Sequence, residues 1–396
     1  MTLTTPAPSP FRRVAAVDLL RGFLMIVMAL DHTRDFFSNA AVDPTDPLTS
    51  WPALFFTRWI THLCAPGFVA LAGTSIYLQR LRGRTRNDVA MKLVTRGLWL
   101  IFVEVAIMSF AILFTYNIHF LQVIYAIGGS MILLAALQYL PTKFVATYGV
   151  LIVTLHNLFD NVNPDQFGHW ASLYKFMMTR GAILSHGKLF IVIAYPLLPW
   201  SGILALGYAF GAIVTLPPHH RRKLCILMGA ITLAILTALR LTNAYGDPVA
   251  FKQRATVMRS AMSFFQLTKY PPSFLYTLAT LGFLFLLYAL ADYALEHRWL
   301  PRLASILEVY GRVPFFYYVP HFFIIHLAMI ATLMVRAHSI HAQLWAPLVA
   351  PPPPGWGFSL PVVYAIWITI VASLYFPCRW FANLKARRRD WWLSYL

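Results

Sequence analysis

Hydrophobic residues along this chain gather into ten long runs, separated by short breaks rich in charge or proline. The first, residues 14–37, reads VAAVDLLRGFLMIVMALDHTRDFF, and the second, residues 53–79, is followed by the basic stretch RLRGRTR. Runs three (93–114) and four (118–140) have only residues 115–117 between them, which predicts a tight antiparallel helix pair. Run five (144–159) is short, and run six (188–215) contains YPLLPW, where Pro196 and Pro199 each remove a backbone donor and predict a kink or break. Runs seven to ten cover 223–242, 273–294, 313–336 and 360–383. A helix needs about 20 predominantly apolar residues to cross a bilayer. The pattern therefore predicts an all-α, polytopic membrane helix bundle of about ten transmembrane helices, with a range of about 10–12 because runs five and six are irregular.

The breaks carry their own signals. Residues 38–52, with Asp43, Asp46 and three prolines, read as a loop, and 160–187 form a polar segment holding Trp170 and Tyr174. In PVAFKQRATVMRSAMSFFQL, the residues Phe251, Ala255, Met258, Met262 and Phe265 keep helical spacing against Lys252, Arg254 and Arg259. That spacing predicts an amphipathic helix lying in the membrane interface. The prolines at 351–354 punctuate the last loop. Residues 1–10, rich in Pro, Thr and Ser, predict a short disordered tail, which leaves 11–396 as one transmembrane domain.

Composition agrees with the pattern. The 396 residues are 59% hydrophobic and only 12% charged, against about 25% charged in soluble domains. A net charge of +18 raises the question of nucleic acid, but almost no surface remains for a soluble basic domain, and no nucleic-acid partner is expected. A positive-inside bias explains most of the excess: with the amino terminus in the cytoplasm, RLRGRTR, HHRRK and KARRR all fall on the inner side, and both termini are cytoplasmic. Arg12 and Arg13 precede the first run, and no small-residue cleavage site follows it, so it reads as a retained helix. Cys64, Cys225 and Cys378 sit in apolar stretches without metal or disulfide spacing, and no metal is expected. No Walker loop, dinucleotide glycine fingerprint, HExxH or CxxC pairing occurs, and no internal repeat suggests inverted symmetry.

Chemistry concentrates in the first run, which carries Asp18, Arg21, Asp31, His32, Arg34 and Asp35. Ionisable groups at membrane depth are costly and point to function. At 100° per residue, Asp18, Arg21, Met25, Met28, His32 and Asp35 fall within about a third of the helix circumference, a stripe meant for other helices or a cavity. Asp18 and Arg21 lie near the cytoplasmic end, either as a helix-pinning ion pair or with Arg21 facing a phosphate. Near the outer end, His32 has Asp35 one turn away and Asp31 adjoining it, the arrangement of a general base with a carboxylate partner. The second run places Arg58 and His62 on one face, with His62 about two turns inside the outer boundary. His321 and His326, in GRVPFFYYVPHFFIIH, are five apart and do not share a face. His119, Gln122 and Glu104 are each readily satisfied by a neighbouring helix.

The motif DLLRGFLMIVMALDHTRDFF, followed by FFTRWITHLCAPGFVALAGTSIYL, resembles the bacterial branch of the heparan-alpha-glucosaminide N-acetyltransferase-like family, part of a wider group of transmembrane acyltransferases. YPLLPWSGILALGYAFG, FFQLTKYPPSFLY and GRVPFFYYVPHFFIIH fit the same resemblance, which covers most of the chain. It implies transfer of an acyl group, acetyl first of all, from cytoplasmic acetyl-CoA to a sugar or glycan hydroxyl or amine on the far side of a bacterial inner membrane. Arg21, Arg80, Arg82, Arg84 and Arg86 would meet the CoA phosphates. In the lysosomal branch the catalytic histidine lies after the first helix of the conserved region; no histidine occurs here between His32 and His62. The expected roles are then His32, oriented by Asp31 or Asp35, as the base, or His62 as the base or a transient acyl carrier. Arg58 or Arg34 would hold the acceptor or the oxyanion, and Asp18, Arg21, Arg34, His321 and His326 would contact substrate in a passage walled by runs one, two and nine. Lipids, acyl-CoA and a glycan acceptor are the expected partners, with a homodimer allowed. The rival reading is a proton-coupled transporter or a lipid-linked glycan flippase without covalent chemistry.

Overall fold

The computed structural model describes residues 15–186, 189–337, 355–388 and 390–395; the amino-terminal tail and the prolines of the last loop lie outside them. In chain order the elements begin with α1 (Ala15–Phe37), then α2 (Pro52–Ile60), a tight 3₁₀ turn Thr61–Leu63 and α3 (Cys64–Arg80). The helix α4 (Arg86–Val103) starts at a capping box in which Thr85 and Asp88 satisfy each other's backbone N–H groups. A π-helical turn, Glu104–Met108, leads into α5 (Ser109–Leu113), β1 (Ile118–Leu121), α6 (Val123–Leu137) and α7 (Thr142–Leu155). There follow α8 (Ala171–Met178), β2 (Gly181–His186), β3 (Leu189–Ile193), α9 (Leu197–Val214) and α10 (Pro218–Thr242). The chain continues through α11 (Val257–Phe265), α12 (Phe274–Glu296), α13 (Pro301–Arg312), α14 (Pro314–Ala337) and α15 (Leu360–Arg387).

This is an all-α polytopic bundle, as the hydrophobic pattern predicts. Among the described residues, seven helical stretches are long and apolar enough to cross a membrane: Pro52–Arg80, Arg86–Leu113, Leu197–Val214, Pro218–Thr242, Phe274–Glu296, Pro314–Arg336 and Leu360–Arg387. The ion-rich α1 and the shorter α6 and α7 fill the other three predicted positions.

Four local expectations change. The first four residues of run four and the first part of run six are strands, not helix, and they pair in parallel, with Ile118 opposite Phe190 and Leu121 opposite Ile193. The strand β2 adds antiparallel to β3, giving the order β1-β3-β2. The strands β1 and β3 line a protein cavity, described below, a setting in which non-helical backbone is tolerated even inside a membrane protein. Pro196 sits at the N-cap of α9 and Pro199 in its first turn, where the missing donor is an orphan anyway, so the prolines start the helix and do not break it. The amphipathic helix shrinks to α11, whose Met262 is fully buried and whose Phe265 meets Trp59 edge-on at 4.8 Å. Arg259 donates to the carbonyls of Pro47 and Ser50, so α11 clamps a loop against the bundle. The helix α13 was not expected: its 12 residues are too few to cross a bilayer and fall in the break between runs eight and nine.

The unexpected helix explains how α1 sits. Gly22 of α1 and Gly311 of α13 face each other so closely that a Cβ on Gly22 would lie 1.8 Å from the Leu307 carbonyl oxygen, and one on Gly311 1.8 Å from that of Asp18. Small residues that let backbones touch are the standard device of membrane helix pairs. Trp367 Nε1–H donates to the Ile26 carbonyl at 2.8 Å and Trp356 Nε1–H to that of Phe36 at 3.1 Å, holding α1 from other sides. Gly311→Ala should therefore force α13 away from α1 and cost at least about 1–3 kcal/mol, the usual range for overpacking. A lowered thermal-unfolding midpoint in detergent checks this, and an unchanged midpoint refutes the close crossing.

Candidate active site

The polar residues of α1 open onto two cavities at opposite ends of the bundle. The first, of about 600 Å³, is walled by α1, α3, α4, α6, α14 and α15. Among the described residues its polar lining is basic: Arg21, Arg82, Arg84, Lys92, Arg96, Arg312 and Lys385 face a single acid, Asp18. Arg21 is fixed by Asp18 at 2.9 Å, by the Gly311 carbonyl at 3.0 Å and by Ser75 Oγ at 2.7 Å. The inner walls are apolar, formed by Met25, Leu100, Ile127, Met131 and Phe315. Arg80 and Arg86 do not join this lining. Arg80 donates to the Tyr208 hydroxyl at 2.7 Å and Arg86 to the Tyr139 carbonyl at 2.5 Å.

The second cavity, of about 720 Å³, is lined by Asp31, His32, Arg34, Asp35, Arg58 and His62 together with residues of β1, β3 and the loop before α12. Helices α1, α2 and α3 converge here with β1, β3 and the loop before α12, so His32 and His62, thirty residues apart, come to share one chamber. Each has an Nδ1 that is buried without a hydrogen-bond partner. The His32 ring packs on Phe322, with 4.1 Å between centroids, and lies 5.3 Å from the ring of His321. His62 meets Tyr276 edge-on at 5.4 Å, and its carbonyl accepts from the Tyr276 hydroxyl at 2.8 Å.

The carboxylates do not serve the histidines as expected. Asp31 accepts from Arg58 Nη1 at 2.9 and 3.0 Å and from Thr61 Oγ1 at 2.9 Å, and lies 3.0 Å from Arg34. Asp35 pairs with Arg34 at 2.5 Å. Two acids and two arginines thus form one neutral cluster, because each buried charge needs a partner more urgently than a neutral imidazole does. His321 turns its Nδ1 to the Tyr318 carbonyl and stacks on Tyr317, behind His32 and outside the cavity lining. His326 bonds the Ala111 carbonyl at 3.0 Å and packs on Phe114 at 4.0 Å, so it is a packing residue away from both cavities.

Several lining residues escaped the sequence reading. Lys92 and Arg96, one turn apart on α4, carried a readable signal: i,i+4 cations at the start of a membrane run. Arg312 and Lys385 lie too far apart in sequence to be grouped. In the second cavity Lys269, only 8% exposed, lies 5.0 Å from the Tyr270 ring centroid. Burial pushes the Tyr270 phenol up, and the Lys269 ammonium and Arg58 guanidinium outweigh it and hold the phenol below its ordinary value. Among the described residues no group of His, Cys, Asp and Glu is arranged to hold a metal ion.

The bundle thus holds a cation-lined cavity at one end and a histidine-bearing cavity at the other. The profile described as heparan-alpha-glucosaminide N-acetyltransferase, catalytic, matches residues 13–242, from the start of α1 to the end of α10. The chain belongs to that family, which makes it a membrane acyltransferase. No curated protein matches it.

Proposed function

We propose that this protein moves an acetyl group from acetyl-CoA, held in the cation-lined cavity, to a sugar or glycan amine or hydroxyl held in the histidine-bearing one. The observation that carries the reading is the meeting of the two cavities at shared residues inside the bundle. The basic mouth suits the phosphates of CoA, and the apolar throat of Met25, Leu100, Ile127 and Met131 suits the pantetheine arm. On the positive-inside bias the basic mouth faces the cytoplasm, with both chain termini, and the acceptor lies on the outer side of the membrane, which we take to be a bacterial plasma membrane. The acceptor nitrogen or oxygen attacks the thioester carbonyl carbon, His32 or His62 takes its proton, and the C–S bond breaks to release CoA. Arg58, fixed by Asp31, holds the acceptor or the developing oxyanion.

The test is purified full-length protein in nanodiscs with [14C]acetyl-CoA and D-glucosamine or glucosamine-ended oligosaccharides. Label should appear on the sugar. Label that stays on CoA with all of them, alongside proton-coupled solute uptake in vesicles, would overturn the enzyme in favour of a carrier. The donor site has its own check. Exposed charge contacts are worth about 0.2–1 kcal/mol each, so Arg82→Gln, Arg84→Gln and Lys92→Gln combined should raise KM for acetyl-CoA about tenfold. kcat should stay near wild type, and the difference should fade in high salt as screening replaces the lost charges.

A further inference from the structure

Among the described residues the two cavities share three lining side chains: Phe68 of α3, Val123 at the start of α6 and Tyr318 of α14. Whatever passes between the cavities passes these three. Phe68 and Val123 offer only hydrocarbon. Tyr318 is 5% exposed, and its hydroxyl is buried with no hydrogen-bond partner. The phenols of Tyr125, Tyr288 and Tyr317 are buried and unpartnered too, but none of those three residues walls both cavities. A buried donor left without an acceptor is costly, and at a crossing point the missing acceptor is readily supplied by what crosses. The Tyr318 ring also lies 5.5 Å from that of His321, which adjoins His32, so this phenol borders the histidine-bearing chamber.

We propose that the Tyr318 hydroxyl holds the acyl carbonyl at the partition, donating to the thioester oxygen as it takes up negative charge. The inference rests on acyl transfer between the cavities as read above. In the step itself the acceptor's nitrogen or oxygen bonds to the carbonyl carbon, and the C=O π pair moves onto the oxygen that Tyr318 faces. Return of that pair expels the CoA thiolate. Tyr318 keeps its proton throughout; the acceptor's proton goes to the histidine base. Phe68 and Val123 close around the acyl group and keep water from the thioester.

Tyr318→Phe removes the donor and keeps the ring. The full-length variant in nanodiscs is assayed with [14C]acetyl-CoA, both D-glucosamine and water being offered as acceptors, since the donor acts on the thioester whichever acceptor attacks. Loss of one such donor lowers kcat by about 10²–10³-fold, and KM for acetyl-CoA should stay within about threefold. Tyr288→Phe, which removes an equally buried and unpartnered hydroxyl remote from the crossing, should leave both constants unchanged. A Tyr318→Phe enzyme with wild-type kcat, or one that changes only in KM, overturns the role of Tyr318 and leaves the acyltransferase standing. A wild-type protein that neither acetylates glucosamine nor releases CoA sinks the acyltransferase reading and this inference together.

Discussion

Replacing both His32 and His62 by glutamine is expected to lower acyl transfer by about 10²–10⁴-fold, the range for loss of a general base, while acetyl-CoA still binds as in the wild type. Glutamine is close in volume and remains uncharged, so the chamber keeps its shape. Each imidazole has a buried Nδ1 without a partner, so at that atom no structural hydrogen bond is lost. The expected loss therefore reports proton transfer and not unfolding. Single variants divide the role. If one histidine is the base, its variant matches the double variant and the other falls little. If His62 carries the acyl group and His32 activates the acceptor, both singles fall steeply, and [14C]acetyl-protein accumulates in His32→Gln quenched before acceptor is added. Transfer by the double variant within about threefold of wild type would exclude both histidines as the base, because loss of a general base costs about a hundredfold or more.

How much of this was legible in the chain depends on what kind of signal each residue carries. The stripe from Asp18 to Asp35 could be read because the helical repeat fixes relative angle, and the structure turns it to the two cavities as periodicity requires. His62 could be paired with His32 only by assuming that consecutive runs lie side by side, which α1 and α3 do. The strands could not be read: IHFL and LFIVI are apolar runs that fit a membrane helix as well as a strand, and only their pairing across about seventy residues of chain makes them a sheet. The helix α13 was missed for a different reason. It buries Leu307, Tyr310 and Gly311 on one face, and at 12 residues it is too short to stand out as a membrane run, although Leu303, Ile306, Leu307 and Tyr310 keep helical spacing. Its packing against Gly22 is a backbone-to-backbone contact that no side-chain pattern announces. The partners of Asp31 illustrate a third limit. Sequence adjacency favoured His32, whereas Arg58, 27 positions away, takes the carboxylate because a buried guanidinium is the costlier group to leave unmatched.

That competition yields the last prediction. Asp31→Asn should destabilise the protein by about 3–5 kcal/mol, since it leaves Arg58 and Arg34 sharing only Asp35 inside the bundle. The three free, buried cysteines, Cys64, Cys225 and Cys378, supply the readout: a thiol-reactive dye reports their exposure on heating, and the variant's midpoint should fall by several degrees. Removing the opposite charge as well should reverse most of the loss. In Asp31→Asn with Arg58→Gln the remaining pair, Arg34 and Asp35 at 2.5 Å, is neutral again, and paired removal of buried ions is close to neutral in energy. Stability and activity then separate. The double variant should recover its melting midpoint but not its acceptor KM, because Arg58 is no longer there to hold the acceptor. An Asp31→Asn protein that melts like the wild type yet has lost kcat would reverse the assignment: Asp31 would then serve His32 as its orienting carboxylate, and Arg58 would be dispensable to the fold.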